Sequence, residues 1–471
     1  MSFESDARVA VEALSEFLAQ SQAGQGPVLR QPPLAELAER LELGRWMSEG
    51  GLTGPSLADF LRRYLDASTR LHHPGYMAHQ VAVPHPSGAI GSLVDGLTNN
   101  AMAIYEMGPA AAAIEFEIIR WMLEKVGFAP PPHPPASPTE PCGGGVLVHG
   151  GSLANLTALA AARARADPRA WDDGPRRDLV VIAPAEAHYS IARAVGVLGL
   201  GQSALRAAPV DDDGRIVPDR LPAALRALLD EGKRPMAVVA AACSTGTGLY
   251  DPLAEVAAFC RANELWLHVD GAHGASALLS ARLKARLDGI ALADSVVWDA
   301  HKLLRTPTVC AAVLVRDSRD LDAAFREQAS YLFHEKDEPG FDFIHRTVEC
   351  TKAALGLRLF LVLAAEGEAG LARYVERQTE LAQSAAALIA RTPGLELAVA
   401  PEINIVCFRI AGSDERQLEL RRRLLARGRH YVSTTTFRGR RWLRLALMSP
   451  STQLSDVERL LEELAQLDAS G

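Results

Sequence analysis

Five short apolar runs between residues 146 and 298, most of them separated by helix-like patterns, constrain this chain more than any other feature. They are Val146–Val148, Leu179–Ile182, Ala237–Ala241, Leu265–Val269 and Val296–Trp298. Apolar strands alternating with helices wind into a mainly parallel sheet with helices on its faces, an α/β fold. The first run leads into Gly150-Gly151-Ser152, the second to His188, and the third to Ser244-Thr245-Gly246. The fourth ends at Asp270 and the fifth at Asp299-Ala300-His301-Lys302. Open parallel sheets bind ligands beyond the carboxyl ends of their strands. Five strand ends would therefore bring Gly/Ser, His, Thr, Asp and Lys to one edge.

Each group has an ordinary reading beside a chemical one. Gly150-Gly151-Ser152 precedes the helical run LANLTALAAARARA, with Ser152 as candidate N-cap. The free amides and dipole of such a helix start suit a phosphate, although no GKS/T follows to make a P-loop. Asp270 either caps the next turn or meets a cation, because a buried carboxylate needs a positive partner. His188 is either a hydrogen-bonded loop histidine or part of the site. Lys302 is either a solvated loop residue or, desolvated at the strand end, an amine nucleophile. Lysine is scarce, occurring only at 125, 233, 284, 302, 336 and 352, which shortens the list of amine nucleophiles.

Bulk properties remove other classes. The chain has 471 residues, 48% hydrophobic and 23% charged, ample for a large core. A net charge of −8 speaks against a nucleic-acid partner, and Arg421–Arg423 sits in a helical pattern as a solvated face. No apolar run reaches the roughly 18 residues that span a membrane. The N-terminus is acidic and amphipathic, without the apolar core of a signal peptide. The six cysteines form no CxxC or regular framework, so reduced thiols in a cytoplasmic protein are expected. His72, His73, His79 and His85 cluster in sequence but lack metal-ligand spacing, and no metal is expected. The expected division is a helical dimerisation segment over 1–75, a large domain over 76–350 and a small α+β domain over 351–471. Pro130–Pro141 is a Pro-rich connector inside the second.

Pyridoxal phosphate uses all of the strand-end groups at once. Its aldehyde condenses with a lysine, its pyridinium nitrogen needs an acid, and its phosphate needs an anion site. The residues also resemble a known family, the group II pyridoxal-phosphate-dependent amino-acid decarboxylases, which act on glutamate, aromatic amino acids and 2,4-diaminobutyrate. The carriers are HPGYMAHQ (73–80), YEMGPAAAAIE (105–115), GGSLANLTAL (150–159), EAHYS (186–190), DPLAEVAAFC (251–260), LWLHVDGAHGA (265–275), ADSVVWDAHKLL (293–304) and WLRLALMSP (442–450). The resemblance implies a fold-type-I (aspartate aminotransferase-like) homodimer with active sites at the subunit boundary. It implies Lys302 as covalent anchor, Asp270 on the pyridinium nitrogen, His188 and Ala272 against the two ring faces, and Thr245 beside the ring. It places Gly151, Ser152, Asp299 and His301 on the phosphate side, with Asp299 standing where many members have Asn. Arg444 matches the arginine that grips the substrate carboxylate, and His79, Gln80 and Tyr105 are candidates for the substrate pocket.

The segment after the lysine departs from the family. Many members donate a proton from a tyrosine there. Aligned to aromatic-amino-acid members, DFIH (342–345) puts Phe343 at that position, and phenylalanine has no proton to give. His345, His188 or a water would then donate. Aligned to glutamate decarboxylases, the start YLF (331–333) matches instead, with a short gap. The expected activity is decarboxylation of an L-amino acid to amine and carbon dioxide. The alternatives are decarboxylation coupled to oxidative deamination, giving an aldehyde, and a catalytically inactive binding homologue.

Overall fold

The computed structural model describes residues 2–133, 141–325 and 340–469. Residues 134–140 of the connector and the YLF segment 331–333 lie outside the described residues. The chain forms two compact units, one of residues 81–379 with 401–403 and one of 1–80, 380–400 and 404–471.

The larger unit is built on seven strands: β1 Gly144–Val148, β2 Leu179–Ala183, β3 Leu205–Ala207, β4 Arg234–Ala241, β5 Trp266–Asp270, β6 Ser295–Asp299 and β7 Ala311–Val315. Their order is β1-β7-β6-β5-β4-β2-β3. Strands β3, β2, β4, β5 and β6 pair in parallel, and β7 runs antiparallel to both β6 and β1. Two antiparallel steps return β1 to the direction of the parallel set. All five expected carboxyl ends therefore point to the same edge. Every residue of β1, β2, β6 and β7 is buried, the pattern of strands covered on both faces. The helix Gly151–Ala166 crosses β1 and β4 to β7. Its buried side is mostly small, with Ala154, Ala158 and Ala161, which lets it lie close to the sheet.

Strand β7 has no counterpart among the five expected runs. Its sequence AAVLV opens on two alanines, weak strand formers, and it gains its place by filling the gap between β1 and β6.

The smaller unit contains a four-stranded antiparallel sheet, order β10-β11-β9-β8, from β8 Leu395–Leu397, β9 Ile405–Ile410, β10 Ser433–Phe437 and β11 Arg440–Ala446. Phe408, Leu443 and Leu445 meet Leu424 and Leu460 from the helices Asp414–Arg427 and Leu454–Ala469 in its core. The N-terminal residues belong to this unit. Val28 N donates to Gly428 O (2.7 Å) and Met77 N to Tyr431 O (3.0 Å), while Ala446 N donates to Met77 O (2.8 Å). The segment 1–75 is thus no separate body. The expected boundary at 350 also moves. The sequence pattern predicts two helices over 352–365 and 371–390, and Leu355–Arg391 is indeed two helices meeting at Gly367 (φ 65°, ψ 170°), of which the stretch up to residue 379 lies in the larger unit.

One buried ion pair ties the larger unit together. Glu115 and Lys352 pair at 0% and 1% side-chain exposure. Glu115 Oε1 also accepts from Leu147 N (2.9 Å), and Lys352 Nζ donates to Leu147 O (2.7 Å). The helix Pro109–Val126, strand β1 and the entry to helix Leu355–Arg391 meet at these atoms. Burial pushes the Glu115 carboxyl upward while Lys352 opposes it. Breaking such a pair leaves a buried group without its partner. Lys352→Met is therefore expected to cost about 3–5 kcal/mol in urea unfolding. Glu115→Leu added to Lys352→Met should recover much of that loss, and simple additivity of the two would contradict the coupling.

Candidate active site

Lys302 follows β6 in a turn closed by its amide to Asp299 O (3.2 Å). Its side chain is 19% exposed, and Nζ stands 3.4 Å from Asp299 Oδ2. His301 Nε2 lies 3.6 Å from the same oxygen. Asp299 is buried, and among the described residues its Oδ1 has no hydrogen-bond partner. The start of helix Gly151–Ala166 abuts this carboxylate, so closely that a Cβ on Gly151 would fall 2.6 Å from Asp299 Oδ2. Glycine is required there by close approach.

The neighbouring strand supplies a second carboxylate. Asp270 ends β5, with Oδ1 accepting from Ala272 N (3.2 Å) and Oδ2 from Asn155 Nδ2 (3.1 Å). Asn155 Nδ2 also reaches Ser190 Oγ (2.8 Å), and Asn155 Oδ1 lies 2.9 Å from His268 Nε2. His188 caps the helix Tyr189–Val197, its Nδ1 accepting from Ser190 N (3.3 Å) and lying 2.7 Å from Ser190 Oγ. Burial lowers the His188 pKa, Asp270 partly opposing and Lys302 reinforcing the shift. His188, Cys243, Ser244, Thr245 and Asp270 line one small pocket.

These groups fit pyridoxal phosphate. Among the described residues no lysine or arginine pairs with Asp270, so its hydrogen-bonded carboxylate offers a place to a pyridinium cation. Lys302 offers the amine. The N-cap is Gly150, at φ 100°, and Ser152, the expected cap, is instead the second helical residue. The first helical bonds run from Leu153 and Ala154 to Gly150 O, which leaves the amides of Gly151 and Ser152 for an anion. Ala272 is buried beside Asp270. His301 Nδ1 lies 2.8 Å from Cys310 O, which holds its ring.

The remaining expected residues are placed as follows. Arg444 belongs to the smaller unit, on β11, with Nη2 donating to Gln80 Oε1 (2.8 Å) and Nη1 to Ala78 O (3.3 Å). His79 Nε2 lies 2.8 Å from the Tyr431 hydroxyl. In the larger unit, Tyr105 N donates to Asp342 Oδ1 (2.8 Å). Phe343 and His345 lie on the short helical turn Phe343–Arg346. The Phe343 ring is 1% exposed and packs at 4.7 Å on Phe341, as a core side chain. Three of the clustered histidines have local partners: His73 accepts from Gly75 N, His85 from Ser87 N, and His79 meets Tyr431. Among the described residues no group of His, Cys, Asp and Glu is arranged to hold a metal.

Asn155, Ser190 and His268 were not singled out in the sequence. One signal was available: His268 interrupts the apolar run LWLHVD two residues before Asp270, and the period of two puts both on one face of β5.

Comparison with known proteins places the chain in a family. Residues 63–411 match the pyridoxal-dependent decarboxylase conserved domain. Human cysteine sulfinic acid decarboxylase is 31% identical over 378 residues, covering 79% of this chain and 74% of that protein. L-2,4-diaminobutyrate decarboxylase of Rhizobium meliloti is 31% identical over 424 residues, covering 87% and 81%. The crystal structure of mouse CSAD superposes with a TM-score of 0.90 at 27% identity, covering 98% of each chain. The chain belongs to the pyridoxal-dependent decarboxylase family, an enzyme that removes the carboxylate of an amino acid with pyridoxal phosphate as cofactor.

Proposed function

We propose that the chain converts a short polar L-amino acid, of the acidic or diamino kind, to its amine, with Lys302, Asp270 and His188 as the catalytic residues. One observation carries the assignment. The amine of Lys302 and the uncompensated carboxylate of Asp270 end adjacent parallel strands, β6 and β5, at the edge where the helix start at Gly151 offers its amides. The relatives named for cysteine sulfinic acid and L-2,4-diaminobutyrate support the substrate class.

When bound, pyridoxal phosphate supplies the electron sink for the bonding pair released with carbon dioxide. The protein's part is holding, orienting and proton handling. Lys302 would hold the cofactor's aldehyde carbon through its amine, and Asp270 would hold its ring nitrogen. His188, Ala272 and Thr245 would hold the ring, and Gly151, Ser152 and His301 the phosphate. Asp299 is the departure from that set, and its proximity to Lys302 and His301 supports a role in positioning their side chains. Arg444, 6% exposed and oriented by Gln80, holds the substrate α-carboxylate through two parallel bonds. His79, Gln80 and Tyr105 contact the substrate. His188 or His345 supplies the proton that Phe343 cannot.

The active form is a homodimer in this reading. Support comes from exposed apolar side chains on two helices, Val11 and Leu14 on Phe3–Gln22, and Ile90, Leu93 and Leu97 on Pro86–Thr98. A cytoplasmic location is supported by six free cysteines, four of them buried. No helix among the described residues is long and apolar enough to cross a membrane.

Three measurements test the proposal. Carbon dioxide release is screened over cysteine sulfinate, aspartate, glutamate, 2,4-diaminobutyrate and aromatic amino acids. The expected result is release with an equal amount of amine from an acidic or diamino substrate; aldehyde with ammonia and peroxide would overturn the amine product. Lys302→Ala should yield a folded protein without the visible absorption of the wild type, its turnover reduced on the order of 1000-fold or more. Arg444→Lys should raise KM about 10–100-fold with a smaller change in kcat, since a lost bidentate, charge-assisted contact weakens ground-state binding.

A further inference from the structure

Beneath the candidate site runs a chain of buried side chains whose donor and acceptor roles are fixed at its ends. At one end, Asn155 Nδ2 donates to Asp270 Oδ2 at 3.1 Å, so the group turned toward the carboxylate is the amide NH2. The second hydrogen of that NH2 goes to Ser190 Oγ (2.8 Å). Asn155 Oδ1 therefore faces His268 Nε2 (2.9 Å), which must carry a proton. At the far side, Trp266 Nε1, a donor only, gives its hydrogen to Ser295 Oγ (2.8 Å). The Ser295 hydroxyl then donates to His268 Nδ1 (2.8 Å). At the near side, Ser190 Oγ accepts from Asn155, so its own hydrogen is directed to His188 Nδ1 (2.7 Å). The Ser190 backbone N–H points to the same nitrogen at 3.3 Å. His188 Nδ1 is thus an acceptor, and the ring's proton sits on Nε2.

Asn155, Ser190, His268 and Ser295 are each 1% exposed or less. Burial holds the His268 pKa down at about 4, so this imidazole is neutral. A neutral His268 has one proton to place, and Ser295 decides where.

We propose that Asn155 is a positioning residue that couples the two ring-contacting groups: one buried amide, oriented by His268, holds the Asp270 carboxylate and, through Ser190, sets His188 in its Nε2–H form. This rests on the assignment of Asp270 and His188 to pyridoxal phosphate given above. The two arms are separable. Ser190 serves only His188, whereas Asn155 serves both. His268 acts by holding the amide in one orientation, because the flipped amide would turn its oxygen on the Asp270 carboxylate.

The test compares Asn155→Ala, Ser190→Ala, His268→Leu and His268→Gln. The readouts are the Kd of apoenzyme for pyridoxal phosphate, the absorption band of the bound cofactor, and kcat and KM separately. Asn155→Ala is expected to raise Kd about 10–100-fold, on the scale of a lost bond to a charged group, and to shift the band. Ser190→Ala is expected to lower kcat several-fold, with Kd within about twofold and the band unmoved. His268→Leu should follow Asn155→Ala, and His268→Gln, which keeps an N–H for the amide oxygen, should recover much of the lost affinity. A folded Asn155→Ala protein with unchanged Kd and band would overturn the proposal, as would equal effects of Asn155→Ala and Ser190→Ala on Kd. If Asn155→Ala does not fold, the His268 pair decides: equal Kd values for Leu and Gln overturn it, and recovery by Gln supports it. Asp270→Ala keeps the failures apart. If that variant binds cofactor like the wild type, the assignment of Asp270 itself is wrong; if it loses binding while Asn155→Ala does not, only the coupling is.

Discussion

Strands buried on both faces can carry polar side chains only at their ends or where a partner meets them inside, and this constraint shapes the larger unit. Every residue of β1, β2, β6 and β7 is buried, and β4 and β5 expose little beyond their ends. An unpaired polar group in such a layer costs several kcal/mol, so chemistry is pushed to the edge. The edge then collects what each strand delivers: Gly151, His188, Thr245, Asp270 and Lys302. Two polar residues are nevertheless buried in the layer, His268 within β5 and Ser295 at the start of β6, and His268 bonds both Ser295 and Asn155. The interior exception and the edge site are one hydrogen-bonded system.

The legible part of this architecture was the part written in local pattern. Apolar runs bounded by turn residues marked five of the seven strands, and the residue following each run named most of the site. Long-range packing was not legible. Strand β7 begins with alanines whose burial depends on β1 and β6, which are far away in sequence. The N-terminal segment joins the smaller unit through backbone bonds such as Val28 N to Gly428 O, which no spacing rule announces. Ser152 looked like a helix cap because serine caps well, yet Gly150 takes that position with φ at 100°, a conformation glycine adopts without strain. Asn155 sits in an alanine-rich helical run where an asparagine reads as an unremarkable polar residue. Only its meeting with β5 gives it a role.

Phe343 shows how a residue can match a functional position by alignment and still be explained by packing. Its ring is buried against Phe341 and beneath the ammonium of Lys352, 4.8 Å from the ring centroid. Lys352 is in turn the partner of Glu115, so the segment around Phe343 is fastened at the same place as β1. A tyrosine there would have to bury a hydroxyl in an apolar cluster that includes Met102, Phe116 and Ala354. The phenylalanine is accounted for by that cluster, whatever the chemistry requires.

The two carboxylates of the site show why its parts are not interchangeable. Asp299 and Asp270 end neighbouring strands and are both largely enclosed. Asp299 has the Lys302 ammonium beside it, Nζ at 3.4 Å, with His301 Nε2 at 3.6 Å from the same oxygen. Asp270 is held by an amide and a backbone N–H, which stabilise a carboxylate without cancelling its charge. A charge that is solvated by neutral dipoles but not neutralised still attracts a cation strongly, because at an effective dielectric of about 20 a unit pair about 4 Å apart gains about 4 kcal/mol. Of the two, Asp270 is the one held, among the described residues, by neutral donors alone, which supports its proposed pairing with a positive ring nitrogen. Asp299 lies 3.4 Å from the Lys302 amine, so its carboxylate is engaged with a group that Asp270 lacks.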